Sequence, residues 1–125
     1  MIYTTYFAKL KKLPENIIPI AICAKPPAGY KGPIYRALAP KYDFYAQWKI
    51  TKDNELFADN YVAQVLNQLN PVKVIADLYH QIGEARCSCD IALVCYEKST
   101  DFCHRHLVSD WLNNNGYQCH EWQPG

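Results

Sequence analysis

Apolar residues along this 125-residue chain fall into blocks of two different periods, and the periods assign the elements. "IYTTYF" (2–7) and "IIPIAICA" (17–24) are rich in β-branched and aromatic residues and read as strands. The polar stretch between them holds three lysines and Pro14. "DNELFADNYVAQVLNQLN" sets Ala58, Tyr61, Val62, Val65, Leu66 and Leu69 at helical spacing, with Asp53 or Asn54 as its cap. Asn70 followed by Pro71 opens a second helix, with Val74, Ile75, Leu78, Tyr79 and Ile82 inward and an end near Gly83. "DIALVCYE" (90–97) is a compact apolar run, the pattern of a strand buried on both faces. Ser99, Thr100 and Asp101 offer N-caps for a helix over 102–114 that Gly116 stops, and "YQCHEW" (117–122) is the last strand.

Residues 25–49 break this regularity. They hold four of the eight prolines and two of the five glycines, which predicts a long irregular loop with at most one helical turn. Its five aromatic side chains besides Phe44 argue that the loop is ordered. The predicted order is β, β, loop, α, α, β, α, β. A strand–helix–strand ending requires a right-handed parallel crossover. The expected fold class is therefore α/β: a small, mostly parallel sheet of about four strands flanked by helices, in two or three layers. The length fits a single domain over residues 1–125.

Composition adds mainly exclusions. Half of the residues are hydrophobic, 20% are charged and the formal net charge is +1, so any basic feature must be local. No apolar run approaches the roughly 20 residues that span a bilayer. The N-terminal lysines follow the apolar residues, the reverse of a secretory signal. Six cysteines without an export signal read as reduced thiols, and a cytoplasmic protein without membrane contact is expected.

The candidate chemistry lies in "CYEKSTDFCHR" (95–105). In an open α/β sheet, ligands bind beyond the carboxyl ends of the strands. Cys95, Glu97 and Lys98 occupy such an end; Cys103, His104 and Arg105 open the following helix. Helical phase puts Cys103 and His104 on the face of Leu107, Val108, Trp111 and Leu112, with Arg105 at its rim and His106 on the solvent side with Asp110. Three readings fit: a thiolate nucleophile, an anion site using Arg105 and Lys98, or ordinary core packing. Asp101 occupies the position where a phosphatase loop begun at Cys95 requires arginine. Cys95 and Cys103 also form a candidate redox pair. Zinc is a lesser reading, because Cys87-Ser88-Cys89 is not the usual knuckle and strand alternation already explains Cys95; no metal is expected. In the 25–49 loop, Lys25, Lys31, Arg36, Lys41 and Lys49 interleave with tyrosines and Trp48. That pattern suits stacked bases, or simply aromatics covering a sheet beneath solvated lysines. His120 and Glu121 reach the same cleft only if the last strand neighbours the one carrying Cys95.

"ALVCYEKSTDFCHRHLVSDWL" closely resembles the signature of domain of unknown function 488, a family of uncharacterised bacterial and phage proteins. That signature is an apolar strand, Cys-x-Glu-Lys, a short gap, Cys-His-Arg and an apolar helix. The likeness extends to "IYTTYFAKLKKL", the "KPP…G…Y…LAP" segment, "WK" at 48–49, the "Y…QVLNQL" helix and a final strand ending in Glu121. The resemblance implies an α/β domain, singles out Cys95, Glu97, Lys98, Cys103, His104 and Arg105, and supplies neither a reaction nor a cofactor. Cys23, Cys87, Cys89, Cys119 and His106 lie outside the motif, which weakens zinc further.

The resulting expectation is an enzyme or binder for a nucleotide, nucleic acid or other phosphate-bearing ligand. Cys95 or Cys103 would react, His104 would move protons, and Glu97 would orient a cationic or sugar group. Arg105, Lys98, Tyr35, Trp48 and Lys49 would bind the ligand. The alternative is a non-catalytic module for nucleic acid or protein. The pattern carries no signal for oligomeric state.

Overall fold

A computed structural model of the protein describes residues 1–86 and 88–124. The two apolar runs at the N-terminus form β1 (Ile2–Tyr6) and β2 (Ile17–Ala21), and the run at 90–97 forms β3 (Asp90–Cys95). A short last strand, β4 (Cys119–Glu121), completes the sheet. All pairings are parallel and the strand order is β2-β3-β1-β4. β3 is therefore central, and every residue from Ile91 to Cys95 is buried, as its unbroken apolar run requires.

Strand alternation divides the sheet into two unequal faces. Ile2, Ile18, Ile20, Ile91, Leu93 and Cys119 join one cluster with the buried residues of all four α-helices. The opposite face has a small cluster of Ile17, Ala92 and Trp122, covered by Tyr3 and Leu13. That second cover comes from the segment after β1, which winds into a 3₁₀ helix at Phe7–Lys12 rather than remaining a linker. The chain moves one way across the sheet from β1 to β2, and the other way from β2 to β3 and from β3 to β4. A constant right-handed crossover then demands opposite faces for the two directions, which is the arrangement found.

The expected irregular loop is only partly irregular. After a 3₁₀ turn at Arg36–Leu38, residues Tyr42–Thr51 form helix α1. Phe44 and Trp48 are one helical turn apart on its inner side, but exposed Tyr42 and Ile50 blur the apolar stripe. Lys52 ends α1 in the left-handed region at φ 55°, its N–H donating to Trp48 C=O at 2.8 Å. The next turn begins at once: Asp53 caps α2 (Asn54–Gln64) by accepting from Leu56 N–H at 3.0 Å. Phe57, Tyr61, Val65 and Leu66 are buried as helical spacing requires, while Val62 is exposed, and the last turn tightens to a 3₁₀ helix at Leu66–Gln68.

Asn70 and Pro71 open α3 (Pro71–Ile82), which buries Val74, Leu78 and Ile82. Gly83 and Gly116 take φ values of 86° and 87° after α3 and after α4 (His104–Asn114), a conformation that favours glycine. Among the described residues, no helix is long and apolar enough to cross a membrane.

The Asn70 side chain accepts from Val72 N–H at 2.9 Å and Lys73 N–H at 3.5 Å, supplying partners that the first turn of a helix otherwise lacks. Asn70→Ala is expected to lower stability by about 1 kcal/mol in urea unfolding. Val72→Ala, at a side chain 63% exposed, should change it by less than about 0.5 kcal/mol.

Candidate functional site

β1 and β3 lie side by side with Tyr6 opposite Cys95, yet the chain leaves them toward opposite faces. A crevice at the carboxyl ends of such strands is where open α/β sheets bind ligands. Here it holds Cys95, the loop Tyr96–Phe102, and the start of α4. Ser99, Thr100 and Asp101 do not cap that helix. The N-cap is Cys103, extended at φ −156°, so its sulfur sits where the positive end of the helix dipole is felt.

Three buried donors converge. His104 Nδ1 lies 3.8 Å from Cys95 Sγ and 3.9 Å from Cys103 Sγ. His104 Nε2 is 2.8 Å from the Ile22 carbonyl, and a carbonyl only accepts, so Nε2 carries the proton and donates it. Nδ1 is then the ring nitrogen free to accept or to ligate, and it lies nearest Cys103, while Cys95 Sγ sits beside the ring edge, 3.5 Å from Nε2 as well as 3.8 Å from Nδ1. Tyr61 packs against the imidazole with ring centroids 5.4 Å apart, and its hydroxyl donates to Leu38 C=O at 2.6 Å.

The two sulfurs titrate far apart. Cys103 is lowered to about 3, first by the Cys95 thiol facing it, an effect that outweighs burial, and further by His104 and the backbone N–H of Arg105. Cys95 is raised well above the ordinary thiol range, chiefly by burial and then by the Cys103 sulfur. Glu97 is raised by burial and by the negative charge at Cys103. Of the pair, Cys103 is the sulfur whose surroundings favour the thiolate and Cys95 the one that keeps its proton more tightly.

Beside this cluster lies a cavity of about 220 Å³, with Tyr42, Tyr45 and Tyr96 in its walls and Lys25 among its polar groups. Cys95, Glu97 and His104 also line it. A narrower cleft of about 10 Å³ reaches Cys103, and Tyr45, Glu97 and His104 belong to both spaces. The Tyr96 hydroxyl donates to Lys25 C=O, tying the loop after β3 to the one after β2.

The family model of the active DUF488-N3 subclade, DUF488-N3a, matches residues 2–116. The chain belongs to the DUF488 family. No match was found among curated proteins or among solved structures.

Of the motif residues in this DUF488 protein, Cys95, Glu97, Cys103 and His104 come together as helical phase suggested. Arg105 does not lie at the rim. It is 0% exposed, with Nε and Nη2 donating to the two Glu121 carboxylate oxygens at 3.1 and 3.0 Å and Nη1 donating to Glu97 C=O at 2.7 Å. Its guanidinium also lies over the Tyr6 ring, 5.6 Å from the centroid. Thr4 Oγ1 donates to the same carboxylate at 2.7 Å. A guanidinium so occupied positions the loop carrying Glu97 and is not free to seize an incoming anion. Glu121 reaches it although β4 neighbours β1 rather than β3, while His120 on the alternate face is exposed. His106, expected toward solvent, is half-buried with its Nε2 enclosed and without a partner. The reason is that β4 lies along this flank of α4, where Ser109 and Asn113 donate to Cys119 C=O at 3.2 and 2.8 Å.

The other proposed ligand-binding residues disperse. Tyr35 is buried away from the cavity and donates to Asp77 at 2.8 Å. Lys49 is exposed with its Nζ 5.4 Å from the Tyr45 ring centroid, and Lys98 is exposed without lining either space. Trp48 lines the narrow cleft beside Cys103 and donates to Asn54 at 2.7 Å. Tyr42, Tyr45 and Tyr96 were missed as lining residues; the i, i+3 spacing of Tyr42 and Tyr45 would have found two of them had α1 been recognised. Among the described residues, the group able to hold a metal is Cys95, Cys103 and His104, whose donor atoms lie within 4.8 Å of one another. Cys87, once weighed as a ligand, lies outside the described residues.

Removing the guanidinium leaves a partly buried carboxylate without its ion-pair partner, so Arg105→Ala is expected to cost about 3 kcal/mol in denaturant unfolding. A second expectation concerns the sulfur. In chelator-treated protein, the alkylation rate of Cys103 should stay flat between pH 5 and 8, whereas a thiol near the usual value of about 8.5 slows roughly tenfold per unit of falling pH. Peptide mapping of iodoacetamide adducts over that range reads both behaviours in one sample.

Proposed function

We propose that this DUF488 protein is a thiol-dependent enzyme acting on a nucleotide-class, phosphate-bearing ligand. The observation that carries the reading is the placement of Cys95 and His104 in the wall of a tyrosine-walled cavity beyond the end of β3, with Cys103 in the cleft that adjoins it. Flat aromatic walls suit a nucleobase by stacking. Lys25 offers the cavity a cation for a phosphate, a role that the buried Arg105 cannot fill. Glu97, held by the hydrogen bond from Arg105 to its carbonyl, is placed to accept from a sugar hydroxyl or to meet a cationic group.

The chemistry follows from which atoms are free. Cys103 sulfur supplies the electron pair of a new bond to an electrophilic centre of the ligand. The bond to the leaving group breaks in the same step, and that group takes the proton it needs from His104 in its doubly protonated form, which carries one at Nδ1 as well as the one at Nε2. Among the described residues, five cysteines are free of disulfide partners, which fits a reducing compartment, and a cytoplasmic location belongs to this reading. The "active" in the subclade's description agrees with a retained reactive cluster.

The test is equilibrium binding of a panel of nucleoside mono- and diphosphates, ribose 5-phosphate and inorganic phosphate, followed by mass spectrometry for adducts and turnover. A nucleotide is expected to bind, and Tyr45→Ala should weaken it about 5- to 150-fold, the effect of one lost stacking platform. Cys103→Ser should abolish turnover and adducts while sparing binding. Binding without any dependence of adducts or turnover on Cys103 would favour the non-catalytic module. A panel with no binder would remove the nucleotide reading.

A further inference from the structure

We propose that Cys95 Sγ, Cys103 Sγ and His104 Nδ1 form a binding site for one zinc-class divalent ion, with a fourth coordination position open toward the cavity. This goes beyond the thiol reading: it concerns the same side chains, but neither proposal requires the other.

The argument starts from the donors. Two sulfurs and one imidazole nitrogen lie within 4.8 Å of one another, all three residues being buried. The sulfur-to-nitrogen separations are 3.8 and 3.9 Å. Tetrahedral zinc with Zn–S about 2.3 Å and Zn–N about 2.0–2.1 Å places such donors about 3.5–3.6 Å apart. For the two nitrogen–sulfur pairs an ion therefore requires closure by only a few tenths of an ångström, and the two sulfurs start within 4.8 Å of each other. Soft thiolates with one imidazole select zinc over calcium or magnesium, which take oxygen.

The surroundings favour coordination independently of the donor set. A metal-bound histidine characteristically donates its other ring N–H to a carbonyl or carboxylate, fixing the tautomer and aiming the ligating nitrogen. His104 already has its Nε2 donating to Ile22 C=O at 2.8 Å, which leaves Nδ1 as the ligating nitrogen beside Cys103, with Cys95 Sγ at the ring edge. Tyr61 holds the ring from the side. The three ligands come from a strand end, an N-cap and the first residue of a helix, so each is fixed by the fold before any ion arrives.

Three protein ligands rather than four leave one position for water or a ligand atom, the pattern of reactive rather than purely structural zinc. Glu97 and His104 line both the cavity and the cleft that reaches Cys103, so that open position faces the proposed ligand space. Cys23, Cys89 and Cys119 lie outside the cluster. An ion there would take up the electron pair of Cys103, and the metal-loaded and metal-free proteins would differ in reactivity.

The test is a Co²⁺ titration of the reduced, chelator-washed full chain, followed by absorption. The expected result is a near-ultraviolet sulfur-to-cobalt band and the visible bands of a tetrahedral ion, saturating at one ion per chain and bleached by one equivalent of Zn²⁺. Cys95→Ser and Cys103→Ser should each lose most of the ultraviolet band, while Cys119→Ser should keep it. Should either serine variant unfold, wild-type protein gives a second readout: one equivalent of Zn²⁺ should slow Cys103 alkylation roughly tenfold or more and leave Cys89 unchanged. No sulfur-to-cobalt band, a band unaffected in a folded Cys103→Ser variant, or unprotected Cys103 at saturating Zn²⁺ would overturn the site. The nucleotide panel on metal-free protein is independent of these readings, so failure of one proposal is distinguishable from failure of the other.

Discussion

A guanidinium with no solvent exposure must place its donors inside the protein, and where Arg105 places them organises this end of the molecule. Its fork meets the carboxylate of Glu121 with two bonds, and its third hydrogen bond goes to the carbonyl of Glu97. Those contacts join the first turn of α4, the last residue of the edge strand β4 and the loop leaving β3. Thr4 adds β1 through the same carboxylate. Desolvating such a pair costs several kcal/mol per ion, so its net contribution to stability is small when the geometry is good. What it supplies instead is position. β4 has only three residues, and its side-chain anchor at Glu121 helps to define where it ends.

That anchoring acts on the reactive cluster through backbone geometry. Glu97 sits two residues beyond Cys95, and Arg105 two residues beyond Cys103, so one hydrogen bond couples the two segments that carry the sulfurs. The topology does the remainder. Because the chain leaves β1 and β3 toward opposite faces, no connection closes over the crevice between them. The cavity itself lies on the other side of Cys95, walled by the loop after β2, by α1, by the residues that leave β3 and by the first residue of α4, and the Tyr96 hydroxyl ties the β2 and β3 loops together.

Much of this was legible in the sequence where one physical signal dominated. The unbroken apolar run of β3, the Asp53 and Asn70 caps and the stop at Gly116 are local features with local causes, and each appears where its residues put it. Helical phase likewise brought Cys103 and His104 toward Cys95. The failures share a different cause. Helix α1 was hidden because its exposed Tyr42 and Ile50 weaken the apolar stripe and because Pro40 stands just ahead of it. Arg105 was assigned to a rim and His106 to solvent because phase within one helix says nothing about a strand arriving later in the chain. Glu121 was tied to a neighbour relation between β4 and β3 that does not exist; a long arginine side chain spans the gap instead. Tyr35, Lys49 and Lys98 were grouped by proximity in sequence to aromatic or motif residues, which does not determine what lines a cavity.

The sulfur pair shows how one chemistry is divided by two backbone settings. Cys95 ends a central strand, where alternation turns its side chain into the helical layer and burial opposes charge. Cys103 is nearly as buried but occupies an N-cap, where the backbone N–H of Arg105 and the adjacent imidazole favour the anion. Proximity then amplifies the difference. Two thiolates cannot share so small a volume, so the proton stays where the fold gives the charge least help, and the Cys95 S–H stabilises the Cys103 anion in turn. A second thiol aimed at a nucleophile does not assist attack; it removes some of the charge density that attack requires. The same convergence also makes a donor set, two sulfurs and an imidazole nitrogen within 4.8 Å of one another. Cys95 and His104 also line the cavity, so both proposed roles, free thiolate and ion ligand, would act beside the same space.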